Sequence, residues 1–138
     1  MNIDSIKNGI VIDHIHAGCG SRLYELLKLD DLECSVAFIK NVQSKKLGKK
    51  DIIKIDGEID VDLDVIGYVD PDVTVNFIKD CELVKKQRIR LPLTLTNVLK
   101  CKNPRCITST EQGLDHVFRL ADEETRTYRC IYCDTASK

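Results

Sequence analysis

The sequence predicts an α+β protein, in which a ferredoxin-like antiparallel sheet with two helices on one face is followed by a small all-β domain. Two observations predict this class. Short β-branched segments alternate with two helical patterns in residues 1–92, in the order β, α, β, β, α, β with one further strand. Residues 93–138 carry four of the seven cysteines as two close pairs, which is typical of a zinc ribbon.

The first strand and the first helix are predicted at residues 9–15 and 21–32. The strand segment is rich in isoleucine and valine, and Gly18 and Gly20 indicate that a turn follows it. The helix segment carries leucines at helical spacing, and Ser21 is a suitable N-cap residue. A strand, a turn and a helix are therefore expected in this order.

A β-hairpin is predicted next, with strands at residues 33–42 and 51–55 joined by a lysine-rich turn at 43–50. The stretch after Gly57 is ambiguous. Its apolar residues alternate with acids, which favours a strand, but their spacing also fits a short helix that ends at Pro71. The residues by themselves leave both interpretations open.

Two further strands, at residues 73–79 and 81–90, complete the predicted sheet. The composition changes near Pro92, and the chain beyond it is too short to bury much apolar surface without a cross-link or a metal ion. We therefore expect a first domain at residues 1–92 and a second domain at residues 93–138.

The composition indicates a globular protein, with 43% apolar and 31% charged residues. No apolar stretch is long enough to cross a membrane and the N-terminus lacks a signal-peptide pattern, so we expect the protein in the cytoplasm. The odd number of cysteines suits a reducing compartment with one metal site. Aromatic residues make up only 5%, so a surface that stacks single-stranded nucleic acid would have few platforms.

The strongest local signal is a cysteine quartet, which consists of Cys101, Cys106, Cys130 and Cys133. Four residues separate the first pair, two separate the second pair, and 23 lie between the pairs. This spacing is typical of a tetrahedral zinc site with sulfur ligands at about 2.3 Å. Four protein ligands leave no open position, so a structural ion is expected. Two disulfides, four buried thiols, an iron site and a redox dithiol are the alternatives.

Four sequence blocks together resemble the aspartate carbamoyltransferase regulatory chain. They occur in order at residues 8–18 (NGIVIDHIHAG), 48–55 (GKKDIIKI), 74–78 (TVNFI) and 97–106 (NVLKCKNPRC). The resemblance implies an N-terminal allosteric domain of ferredoxin-like shape, which favours the helix after Gly57, and a C-terminal zinc domain that contacts the catalytic chain. It implies a non-catalytic subunit in pyrimidine biosynthesis, within an assembly in which regulatory dimers join catalytic trimers.

The resemblance also implies a nucleotide site, which takes CTP and UTP as inhibitors and ATP as an activator. By motif, Asp13 would bond the ribose and His14 would approach the phosphates. Lys54 would reach the ribose and base, and Lys86 would pair with the triphosphate. Backbone and apolar contacts to the base would come from Ser5, Ile6, Val11, Asn76, Ile78, Cys81 and Leu83. The chain departs from the usual family pattern at His16, Cys81 and Arg105.

These residues also have an ordinary structural interpretation. An aspartate beside a histidine on a strand is more often a structural pair, and strict alternation would place Asp13 and His14 on opposite faces of the sheet. Lysine clusters are usually solvated turns, and we expect this for Lys45, Lys46 and Lys49. The sequence cannot decide between the two interpretations at residues 13 and 14.

Two other classes of protein compete with the interpretation as a regulatory chain. A zinc-ribbon nucleic-acid-binding protein would use the basic residues of the second domain, Lys100, Lys102, Arg105, Arg119, Arg126 and Arg129. Residues 93–138 hold seven basic and six acidic residues, however, and four thiolates on a divalent ion subtract two more charges. The domain therefore has no net positive charge with which to attract phosphates. A small metalloenzyme or redox protein would need an open metal position or a reactive thiol. His14 and His16 lie on one strand face and could bind a metal, but the sequence offers no third ligand nearby.

Overall fold

A computed structural model describes residues 6–137 of the chain. Its contacts divide the protein into two compact units, Met1–Arg90 and Leu91–Lys138, and each unit has its own core. None of the helices within the described part of the chain is long and apolar enough to cross a membrane.

The first unit contains a five-stranded antiparallel sheet. Its strands are β1 (Gly9–His16), β2 (Ser35–Ser44), β3 (Gly48–Asp56), β4 (Thr74–Lys79) and β5 (Glu82–Arg88). Their order across the sheet is β2-β3-β1-β4-β5, and every neighbouring pair is antiparallel. The helices are α1 (Gly20–Leu26), followed by a short 3₁₀ turn (Leu29–Asp31), and α2 (Leu63–Val69). The predicted α+β class is confirmed, and the ambiguous stretch after Gly57 contains a short helix.

The two faces of this sheet are covered differently. On the helix side, strand residues such as Ile12 and Ile53 pack with Leu23 of α1 and Ile66 of α2 in one buried cluster. Each such side chain contributes about 1.5–3 kcal/mol of burial free energy. A smaller cluster lies on the other side and consists of Ile6, Val11, Ile52 and Ile78. We call this second surface the open face of the sheet.

The helix boundaries differ from the prediction at both ends of α1. The helix begins at Gly20, and Cys19 occupies the N-cap position without a side-chain cap, so the predicted capping role of Ser21 was wrong. The helix ends early because Lys28 adopts a left-handed conformation with φ of 56°. In contrast, α2 has a side-chain cap, since Asp62 accepts a hydrogen bond from the backbone N–H of Asp64 at 3.0 Å.

The lysine-rich hairpin turn is shorter than predicted, because β2 and β3 extend into it and leave a turn at residues 45–47. The buried carboxylate of Asp51 connects this hairpin with the loop before α1. Its Oδ2 accepts the backbone N–H groups of Gly18 and Gly20, both at 3.1 Å. Its Oδ1 accepts the N–H of Asn41 at 3.2 Å. Three backbone donors therefore satisfy one buried charge.

The second unit contains a three-stranded sheet with β6 (Thr94–Thr96), β7 (Val117–Asp122) and β8 (Thr127–Cys130), and a one-turn helix α3 (Ile107–Thr110). Its core is small and includes Leu95, Phe118 and Tyr128. The buried Tyr128 hydroxyl donates a hydrogen bond to the carbonyl of Pro92 at 2.7 Å. Such a small apolar core needs an additional source of stability.

Candidate functional site

The second unit brings the four cysteines of the quartet together. The Sγ atoms of Cys101 and Cys133 lie 3.5 Å apart, and those of Cys106 and Cys130 lie 3.7 Å apart. All four sulfurs lie within 4.8 Å of one another. Four ligands at about 2.3 Å from one tetrahedral ion would be about 3.8 Å apart. The donor set therefore fits a closed structural metal site.

Local structure positions each of these thiols. Cys106 occupies the N-cap position of α3 without a side-chain cap, and Cys130 ends β8. Cys133 follows in a turn closed by the bond from the N–H of Asp134 to the carbonyl of Cys130 at 2.9 Å. The N–H of Cys101 donates to Nδ1 of His116 at 3.3 Å. These contacts hold the ligand loops, and the metal would connect them.

The thiols differ in their pKa values. Burial raises the pKa of Cys101 to about 12. Hydrogen bonds with the side chain and backbone of Thr135 lower the pKa of Cys133 to about 6, and Thr108 lowers the pKa of Cys106 in the same way. A bound cation would supply the charge that keeps all four sulfurs as thiolates, because the thiolate is the ligand form.

In the first unit, most of the residues predicted for nucleotide binding share the open face. Val11 pairs with Lys54 of β3 and with Asn76 of β4, and Asn76 pairs in turn with Lys86 of β5. Paired residues on neighbouring strands point to the same side of a sheet. Four predicted residues from four strands therefore lie in one row.

A β-bulge brings Asp13 and His14 to this same face. Ile12 pairs with Ile53 and Ile15 with Asp51, so two residues of β1 stand opposite the single residue Ile52. His14 takes a φ of 60°, and its backbone N–H donates to Oδ1 of Asp13 at 2.6 Å. Because of the bulge, the two side chains are neighbours, with Nδ1 and Oδ2 4.0 Å apart. Strict alternation, which would separate them, does not hold here.

Beside the bulge lies a cavity of about 270 Å³ with a cationic lining. His14, Lys46, Lys86 and Arg88 contribute its basic groups. The remaining lining residues are Pro71, Asp72, Val73, Thr74 and Ile89. Sequence reasoning missed Arg88 and treated Lys46 as part of a solvated turn. The basic run at residues 85–90 is the signal that could have identified Arg88, which pairs with Thr74 across the sheet.

The ionisable groups at the bulge influence one another. Burial raises the pKa of Asp13, but hydrogen bonds from Lys50 and from the backbone of His14 outweigh it, so that this pKa lies below its ordinary value. Burial lowers the pKa of His14; Asp13 opposes this effect, but Lys50, Lys46 and Lys86 lower the pKa further. Burial and the neighbouring lysines thus both favour the neutral form of this histidine.

The other predicted contact residues are distributed along the same face. Ile6, Val11 and Ile78 belong to its small buried cluster. Lys54 is almost completely buried, and the buried Oδ1 of Asn76 has no hydrogen-bond partner within residues 6–137. Leu83 is exposed on β5, and Cys81 is exposed in the turn before it. Ser5 lies outside the described residues.

An α+β unit with a cationic cavity, followed in the chain by a unit whose four thiols fit a structural metal, defines a two-domain protein with a metal-binding domain. Residues 1–90 match the family model described as aspartate carbamoyltransferase regulatory chain, allosteric domain. Residues 94–138 match the model for the metal binding domain of the same chain. The protein belongs to the aspartate carbamoyltransferase regulatory chain family, and it is a regulatory chain, not the catalytic subunit.

Curated relatives of this name match along the full chain. The regulatory chain of Clostridium tetani is 51% identical over 139 residues, which cover 100% of this chain and 96% of the relative. That of Clostridium acetobutylicum is 50% identical and covers 100% of this chain and 94% of the relative. That of Bifidobacterium longum is 43% identical, with 100% and 99% coverage. The resemblance seen in the sequence is therefore confirmed.

Proposed function

We propose that this regulatory chain binds CTP, UTP or ATP on the open face of its first domain, residues 1–92, and transmits nucleotide occupancy to aspartate carbamoyltransferase catalytic chains held by its second domain, residues 93–138. CTP and UTP would inhibit and ATP would activate. The observation that carries the proposal is the cationic cavity beside the bulge, which adjoins a row of polar and apolar residues on the same face.

The cavity supports binding of the triphosphate. His14, Lys46, Lys86 and Arg88 face one space, and a triphosphate needs several cations to offset its charge. Charge-assisted hydrogen bonds to phosphate oxygens are about twice as strong as neutral ones. The phosphates would therefore lie beside the bulge.

The row of residues on the open face supports binding of the nucleoside. The unpartnered Oδ1 of Asn76 is an acceptor that an exocyclic amine could satisfy. Lys54 lies beside it across β1, and Asp13 keeps its Oδ2 for a ribose hydroxyl. The isoleucines and Val11 would provide the apolar surface on which the base rests.

We propose zinc as the structural ion of the quartet, because four sulfur ligands in a closed tetrahedron suit zinc. Apolar side chains next to the ligands are strongly exposed: Ile107 follows Cys106, and Ile131 and Tyr132 lie between Cys130 and Cys133, each between 47% and 49% exposed. The metal would fix these side chains as a docking surface for the catalytic chain. Regulatory dimers would then join catalytic trimers.

Coupling requires that the nucleotide bind one quaternary state of the assembly more tightly than the other. A ligand with equal affinity for both states shifts nothing. Opposite effects of CTP and ATP would arise if the two bases stabilise different states from the same site. No bond chemistry is required of this chain.

The decisive experiment combines nucleotide binding with assembly. CTP, UTP and ATP are titrated calorimetrically into the purified zinc-loaded chain and into its complex with an aspartate carbamoyltransferase catalytic subunit. Lys86→Gln should weaken binding about tenfold or more, since a charged hydrogen bond contributes about 1.5–3 kcal/mol. Lys85→Gln is the matched control, because the neighbouring Lys85 stacks on Phe77 instead, with Nζ 5.7 Å from the ring centroid. Equal loss in both variants, or no binding of any nucleotide, would refute the site.

A further inference from the structure

The end of strand β1 carries a histidine that is fixed by a distant aspartate. The backbone N–H of His16 donates to Oδ2 of Asp70 at 2.8 Å, and Nδ1 of the same residue lies 2.7 Å from the same oxygen. The side chain of Asp70 is only 2% exposed, whereas that of His16 is 44% exposed. The buried carboxylate therefore holds a ring that reaches the surface.

Both carboxylate oxygens of Asp70 accept hydrogen bonds. Its Oδ1 accepts the backbone N–H of Asp72 at 3.1 Å, in addition to the two bonds at Oδ2. An acceptor at Nδ1 favours the tautomer with its proton on that nitrogen. The lone pair of the neutral ring then lies on Nε2, which points away from Asp70.

A second carboxylate stands in front of this nitrogen. Oδ2 of Asp72 lies 3.8 Å from Nε2 of His16, and the Asp72 side chain is 57% exposed. This separation is too long for a hydrogen bond. Two ligands at about 2.1 Å from one ion are about 3.4 Å apart in tetrahedral coordination and about 3.0 Å apart in octahedral coordination. A shift of less than about 1 Å at the exposed Asp72 would bring the two atoms to either spacing.

We propose that His16 Nε2 and the Asp72 carboxylate form a second metal site, which takes a divalent first-row transition ion such as Ni²⁺, Co²⁺ or Zn²⁺. Water would fill the remaining positions, since both ligands are exposed. Asp70 acts as the positioning residue, in the carboxylate–histidine–metal arrangement that fixes the tautomer and raises the basicity of the ligand nitrogen. Imidazole nitrogen selects these ions over Mg²⁺ and Ca²⁺, which prefer oxygen ligands alone.

The tertiary structure supplies what the sequence lacked for a histidine metal site. His14 and His16 form no pair, because the bulge directs His14 towards Asp13 and the lysines of the cavity. The additional ligand comes instead from the turn after α2, 54 residues further along the chain for Asp70 and 56 for Asp72. This site lies in the first unit and shares no residue with the cysteine quartet.

The test is a Ni²⁺ titration of the full zinc-loaded chain, followed by NMR of the three assigned histidine rings, with zinc content measured before and after. The proposal expects one added equivalent of Ni²⁺ that broadens His16 first and leaves the zinc in place. His16→Gln should abolish this site. Asp72→Asn, at an exposed position, should weaken it at least about tenfold, and Asp70→Asn about 10–100-fold.

His14→Gln and Asp64→Asn are the matched controls, since they remove a neighbouring histidine and an exposed carboxylate of α2 while leaving His16 and Asp72 intact. Both should bind Ni²⁺ like the unmodified chain. Unchanged affinity in His16→Gln or Asp72→Asn would overturn the proposal. So would the absence of Ni²⁺ binding to the unmodified chain.

Discussion

The ammonium of Lys50 lies 2.9 Å from Oδ1 of Asp13, so these two opposite charges neutralise one another at the bulge of β1. Among the described residues, Lys46, Lys86 and Arg88 form no comparable ion pair with an acid. The net positive charge beside the bulge therefore comes from these three side chains, which remain available for an anionic ligand.

The first prediction concerns Arg88, which sequence reasoning missed. Arg88→Gln should weaken CTP binding about tenfold, because a lost charged contact corresponds to about 1.5 kcal/mol or more. The loss should shrink as salt concentration rises, since exposed charges are screened. Calorimetric titration at two salt concentrations measures both effects. Lys85→Gln, on the opposite side of the same strand, should leave the affinity unchanged.

The second prediction concerns pH. The pKa of His14 is lowered in the free protein by burial and by the nearby lysines, so a bound triphosphate should raise it again. Binding should then take up a proton at His14, and affinity should increase as pH falls from about 8 to about 6, around the ordinary histidine pKa. Proton uptake follows from calorimetry in buffers of different ionisation enthalpy. If His14→Gln takes up as many protons as the unmodified chain, the histidine does not face the phosphates.

The third prediction is that metal removal unfolds only the second unit. Residues 91–138 have a small core and rely on the quartet, whereas the five-stranded sheet has a larger apolar cluster of its own. Hydrogen exchange with and without a chelator should show loss of protection in residues 91–138 alone. Cys106→Ser should reproduce this pattern and should abolish binding to a catalytic subunit. A folded, metal-free second unit would contradict the prediction.

The fourth prediction concerns the buried carboxylate of Asp51. Asp51→Asn places an amide N–H₂ among three backbone donors, so at least one of these N–H groups loses its acceptor. An unsatisfied buried donor costs about 1–3 kcal/mol. The free energy of unfolding, measured in urea, should fall by that amount. Asp56→Asn, at an exposed position on the same strand, should change it little.

The fifth prediction concerns Gly67 in α2. A Cβ atom at this position would lie 2.1 Å from the carbonyl oxygen of Arg90 and 3.0 Å from Ile89. Alanine usually stabilises a helix by about 1 kcal/mol relative to glycine. The overlap with backbone should outweigh this gain, because overpacking costs about 1–3 kcal/mol. Gly67→Ala should therefore lower the thermal midpoint, while Asp64→Ala on the exposed side of α2 should not.

Much of the fold could be predicted because its signals are local. The β-branched runs predict β1 and the hairpin of β2 and β3, and the change in composition near Pro92 lies close to the division at Arg90 and Leu91. Helix limits were predicted less well. The end of α1 depends on the left-handed conformation of Lys28, and no local sequence pattern predicts that conformation.

Sequence alone determined the metal-binding quartet and the family, since ligand spacing and ordered blocks are properties of the chain itself. The tertiary structure decided which side chains meet on the open face. The bulge at Asp13 and His14 arises because Ile12 and Ile15, three residues apart, both pack into the core beneath the helices. This packing involves residues that are distant in the sequence, so the local pattern does not predict it. The grouping of Lys46 and Arg88 with His14, and of His16 with Asp70 and Asp72, depends on strand register and on the turn after α2.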